Sequence, residues 1–69
     1  MVLSEVKKMG EYHVRQLHEF GGTHHRLEEL GFVPGQVIIV ISRMGDGLIV
    51  NVKGSRVALT SELARNIVV

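Results

Sequence analysis

Apolar and polar positions alternate along three stretches of the chain, and over a fourth the apolar residues run unbroken. The first alternating stretch is Glu11–Glu19, which the pattern predicts as a strand. Tyr12 and Val14 share one parity and His13 and Arg15 the other, while Leu17 breaks the alternation. Two apolar residues an odd number of positions apart face one core only if the strand bulges. A bulge or bend is therefore expected near Arg15–Gln16. The unbroken run is Val37–Ile41, all β-branched, a predicted strand with apolar residues on both faces. Leu48, Val50 and Val52 alternate with Ile49, Asn51 and Lys53 as a half-buried strand. Val57 and Leu59 continue inward on its hairpin partner, and Ile67-Val68-Val69 forms a last short strand.

Helical spacing occurs in two places. Leu3 and Val6 are three apart with Ser4 as a candidate cap, which suggests a short turn. Leu27 and Leu30 are three apart within His24–Leu30, a short predicted helix capped by Thr23 after a strand end at Gly21-Gly22. Gly31 is placed to end that helix in the left-handed conformation, and Phe32 to pack back on Leu27 and Leu30. Pro34-Gly35 suits the centre of a type II turn. Gly45-Asp46-Gly47 is a turn, and Gly54-Ser55 a two-residue hairpin loop, read as type II′. Thr60 or Ser61 caps one short turn through Leu63-Ala64. The sum is a mainly β single domain over residues 1–69, with about five strands and one short helix between the first and second. A small antiparallel sheet closes on itself to remove its edges, so the expected form is an SH3-like β-barrel with the helix over one opening.

Composition narrows the function. The 69 residues contain no cysteine, which excludes disulfides and thiolate metal sites. Eight Lys/Arg against seven Asp/Glu leave a net charge of +1, and the basic residues are scattered. That argues against a nucleic-acid binder, which needs a basic groove and stacking aromatics. No apolar run approaches the 18 or so residues of a membrane span, and no secretory leader is visible. The expected form is a soluble intracellular domain, with no membrane insertion.

Four histidines are the first candidates for chemistry. His24 with Glu28, and His25 with Glu29, have the i, i+4 spacing that offers two ligands to a divalent metal. The alternative is a solvated helix surface. His13 and His18 have opposite strand parity, so only a bulge would bring them together. No cofactor is expected; a divalent metal, Fe2+ included, is the ligand the histidines leave open. Catalysis fails on inventory. Cysteine is absent, each serine sits in a cap or turn, and Asp46 lies between two glycines. Gly21-Gly22 lacks the Lys-Ser/Thr of a phosphate loop. The chain is not expected to be an enzyme. Apolar surface is the remaining clue. If Ile38, Val40 and Ile49 are not covered by the helix, they form a patch that marks an interaction site; the alternative is that the helix and the N-terminal turn cover them, because a small domain needs every apolar contact.

The block Leu27-x-x-Leu30-Gly31-Phe32-x-Pro34-Gly35, with Val37–Ile41 after it, resembles the ferrous iron transport protein A (FeoA) family. Similarity continues through Val50-x-Val52-x-Gly54, Val57-Ala58-Leu59, Ala64 and Ile67-x-Val69, and includes the opening Leu3-Ser4-Glu5-Val6 with Gly10. The hairpin Met44-Gly45-Asp46-Gly47 is shorter than the loop many members carry. The resemblance implies an SH3-like barrel, a cytoplasmic location in a bacterium or archaeon, and no enzymatic activity. It implies docking on the membrane ferrous iron transporter FeoB and modulation of it, with self-association open. A divalent-metal-binding or metal-sensing protein is the alternative. The same barrel occurs in iron- and manganese-dependent repressors beside a helix-turn-helix domain, so that role is expected to be indirect here. The docking face is expected to involve Leu27, Leu30, Phe32, Ile38 and Val40, with Gly31, Pro34 and Gly35 structural.

Overall fold

The computed structural model describes residues 1–18 and 23–69, with backbone alone for Thr23 and His24. The predicted strand end at Gly21-Gly22, the cap side chain of Thr23 and the metal-ligand side chain of His24 lie outside that description. A one-turn 3-10 helix at Leu3–Glu5 leads into β1 (Gly10–His13) and β2 (Gln16–Leu17). Then follow α1 (Thr23–Leu30), β3 (Val37–Met44), β4 (Gly47–Val52), β5 (Ser55–Leu59), α2 (Ser61–Ala64) and β6 (Ile67–Val68). The strands make two antiparallel sheets, one in the order β1-β3-β4-β5 and one pairing β2 with β6.

This corrects the expectation of one closed barrel of five strands. The predicted first strand is two strands in two sheets, so α1 follows the second strand. Backbone hydrogen bonds give the reason. β1 pairs with β3 as far as His13↔Val37. At Val14 the amide donates to the Gln36 carbonyl (2.9 Å) and the carbonyl accepts from the Gly35 amide (2.8 Å). The Arg15 amide then donates to Val68 on β6 (2.7 Å). The break falls beside the predicted bulge position and changes partner sheets, which lets Val14 and Leu17 both reach the core.

Among the described residues the buried core is aliphatic except for Phe32. Leu3, Leu27, Phe32, Ile38, Leu48, Val50, Ala64 and Ile67 are fully buried, and Val6, Val14, Val40, Val52 and Leu59 nearly so. Leu3 and Val6 turn inward as their spacing predicts, but Ser4 does not cap; Val2 holds the cap position without a side-chain bond. At α2 the cap is Thr60, whose hydroxyl accepts from the Leu63 amide at 3.3 Å.

Ile38 and Val40 belong to this core, so they are covered and form no patch, which corrects the expectation that they take part in the docking face. Their register partners are the buried Val52 and Val50. The register slips between Val40 and Ser42, leaving Ile41 as the extra residue of a β-bulge. The hairpin between β4 and β5 also differs. Its loop is Lys53-Gly54, both with positive φ (51° and 79°), as a type I′ turn requires. In the β3–β4 loop only Gly45 has positive φ.

The end of α1 is a Schellman cap. The Phe32 amide donates to the Leu27 carbonyl (2.9 Å) and the Gly31 amide to the Glu28 carbonyl (3.0 Å), with Gly31 at φ 106°. A Cβ at Gly31 would stand 3.3 Å from both Val52 Cγ2 and Lys53 Cδ. Gly31→Ala is therefore expected to lose about 1–2 kcal/mol, the left-handed penalty, read from the shift of the urea midpoint at unchanged slope.

Candidate functional site

The Leu27–Gly35 block is a joint. After the Schellman cap, the Gln36 amide donates to the Val33 carbonyl (2.9 Å) across Pro34-Gly35. Gly35 has φ 92°, as the third residue of a type II turn needs. That turn holds both backbone groups of Val14, so one short segment ends α1, starts β3 and fixes the break between the sheets. Of its apolar members Leu27 and Phe32 are fully buried, and Leu30 is 39% exposed. Leu27, Phe32, Ile38 and Val40 thus support the surface from beneath, while Leu30 reaches it.

The apolar surface lies on the other parity of β3. Val37, Ile39 and Ile41 are 37%, 44% and 37% exposed. They run along the outer face of the four-stranded sheet, where Ile49 on β4 is half-buried and Ala58 on β5 is exposed. Charges border this stripe on both sides. Register places Glu11, Ile39, Asn51 and Arg56 in one row across β1, β3, β4 and β5. Glu11 and Arg56 are exposed. Asn51 Oδ1 is buried without a hydrogen-bond partner. Lys53, beside the end of α1 at Gly31, borders the stripe near Val37. A face of this kind can grip a partner by apolar contact.

The metal candidates are not gathered. His25, Glu28 and Glu29 are exposed on α1. Among the described residues no three His, Cys, Asp or Glu side chains are grouped to hold an ion. His13 lies on the outer face of β1 and His18 follows β2 in the other sheet. An open cavity of about 490 Å3 lies where the β3–β4 hairpin meets α2, bordered by Met44, Asp46, Ser61 and Glu62. There Ser61 Oγ donates to Asp46 Oδ2 at 3.3 Å.

The family model of the FeoA domain matches residues 1–69. The chain belongs to the FeoA family. Its block residues Leu27, Leu30, Gly31, Phe32, Pro34 and Gly35 form the joint described above. Among solved structures, FeoA of Stenotrophomonas maltophilia, complexed with zinc and described as a unique prokaryotic SH3 domain protein, is 30% identical with a TM-score of 0.86. The match covers 99% of this chain and 87% of that one. FeoA of Chlorobium tepidum is 27% identical with a TM-score of 0.84, over 99% of this chain and 67% of that one. The fold is also shared with ScaR, solved with bound Cd2+, at 23% identity and a TM-score of 0.87. The match covers 97% of this chain but 33% of ScaR, so the chain spans about a third of that protein. A comparison with curated protein sequences finds no significant match. The FeoA family is associated with ferrous iron transport and is not a known enzyme family. Among the described residues no helix is long and apolar enough to cross a membrane.

The outer face was missed by the sequence reading because both parities of Val37–Ile41 are apolar. The signal that finds it is the polar parity of its neighbours, Glu11 and His13 on β1 and Asn51 on β4, which must share a face with the exposed residues of β3.

Proposed function

We propose that this chain is a cytoplasmic accessory protein of ferrous iron uptake that docks on the cytosolic part of the transporter FeoB and modulates it. Docking uses the outer face of the large sheet: Val37, Ile39 and Ile41, with Leu30 exposed at the end of α1. The observation that carries this reading is the exposed apolar stripe, which nothing in the fold's own packing requires. Leu27, Phe32, Ile38 and Val40 act from below, by fixing the backbone that presents it. The S. maltophilia relative, described as a candidate ferrous iron transport activating factor, is consistent with this role.

The test is co-purification with the cytosolic part of FeoB. Ile39→Glu is expected to abolish capture while changing stability by about 1 kcal/mol or less, the span of strand-surface preferences. A charge at Ile38 or Val40 would unfold the chain and could not separate docking from folding. Undiminished capture of a folded Ile39→Glu variant would refute the assignment of the face.

A second reading, divalent-metal binding, draws on the zinc complex of the S. maltophilia relative. Here His25 and Glu29 would supply two ligands from one face of α1.

A further inference from the structure

The row Glu11–Ile39–Asn51–Arg56 reads acid, apolar, amide, base across four adjacent strands. Neighbouring strands are about 4.8 Å apart, so the two charges stand roughly 14 Å apart across the face. Among the described residues neither charge has an ion-pair partner within the chain. Such a row is self-complementary. A two-fold axis lying in the interface and parallel to the strands places each strand over its mirror position in the row. β1 then lies over β5 of a second copy, and β3 over β4.

We infer that the free protein forms a two-fold dimer through this outer face. Glu11 of each copy meets Arg56 of the other, so both charge pairs form at once. The bulged Ile41 lies on Ile49 of the second copy, and Val37 lies along the methylenes of its Lys53. An isologous contact of this kind closes after two subunits and leaves no apolar stripe facing water. The alternative pairing, with the axis across the strands, sets Glu11 on Glu11 and Arg56 on Arg56 and is rejected by like-charge repulsion. The inference concerns the chain alone and does not rest on transporter docking; if both hold, the dimer is the form that docking must open.

The experiment is sedimentation velocity of the full chain over about a hundredfold range of concentration, with circular dichroism to confirm folding. The wild type is expected to move towards twice the mass of one chain as concentration rises. Glu11→Arg and Arg56→Glu are each expected to weaken the dimer about tenfold or more, the scale of a like-charge contact at an interface. The double variant Glu11→Arg/Arg56→Glu is expected to restore it, because the swapped charges again meet across the axis. Ile39→Lys, an exposed position that does not touch the core, is expected to give monomers throughout. A wild type that stays monomeric, single variants that dimerise as well as wild type, or a double variant no better than the singles would each overturn the inference. Transporter capture is read separately, so loss of docking with an intact dimer, or the reverse, tells the two proposals apart.

Discussion

Phe32→Ala is expected to leave much of the chain unfolded at 25 °C. Phe32 is the largest fully buried side chain among the described residues. It follows the Schellman cap, and its own amide closes that cap on Leu27, also fully buried. Removing a buried phenyl ring costs about 3–5 kcal/mol, from lost transfer energy and from the cavity left behind. A core below 70–80 residues supplies roughly 3–5 kcal/mol of net stability, so the two quantities are of one size. The loss also frees the segment that holds Val14 between the two sheets. Circular dichroism at 25 °C and on heating checks this. A cooperative transition within a few degrees of wild type would mean that the joint is held by something other than this ring.

Gly47→Ala comes next in size. Gly47 opens β4 opposite Met44, and it is buried without unusual backbone geometry. A Cβ built on it would stand 2.4 Å from the Leu59 carbonyl oxygen. That oxygen is backbone, in the strand that pairs with β4 and just ahead of the Thr60 cap of α2, so it has little freedom to withdraw. The substitution is expected to cost about 3 kcal/mol, the upper part of the overpacking range. In a domain of this size that lowers the melting temperature by roughly 12–24 °C. Gly45→Ala, two residues earlier, is the natural comparison. Its added Cβ meets nothing within 4 Å, and its φ of +62° carries the left-handed penalty alone, about 1–2 kcal/mol. Equal losses at the two positions would show that close approach at Gly47 does not matter.

These two sites differ in how well the sequence announces them. Phe32 sits in a block whose parts have separate local reasons: a glycine for the helix end, a proline and glycine for the turn. The sequence therefore states the joint almost completely, and the type II turn and the helix stop both appear where those residues place them. Gly47 reads as an ordinary turn glycine, because its constraint comes from Leu59, twelve residues away and on another strand.

The face of β3 was concealed for a related reason. With the two-residue loop Gly45-Asp46, a regular hairpin pairs Ile41 with Val50 and Ile39 with Val52. That register sends the odd set inward and leaves Ile38 and Val40 outside. The bulge at Ile41 inserts one residue, and the pairing becomes Val40↔Val50 and Ile38↔Val52. A shift of one residue exchanges the two faces of a strand, and with isoleucine and valine on both there is no polar residue to mark the exchange. The change of sheet at Val14 was half legible. The odd spacing of Val14 and Leu17 signalled an irregularity, but the hydrogen bonds that turn it into a change of partner come from Gly35, Gln36 and Val68.

On the proposal made above, the buried joint shapes the protein while the outer stripe of β3 meets FeoB. Titrating isotope-labelled chain with the cytosolic part of FeoB and following backbone amide shifts tests it directly. Shifts and line broadening are expected to gather at Val37, Ile39, Ile41 and Asn51, and to spare β2 and β6. Shifts confined to β2 and β6, or an unchanged spectrum at saturating FeoB, would contradict it.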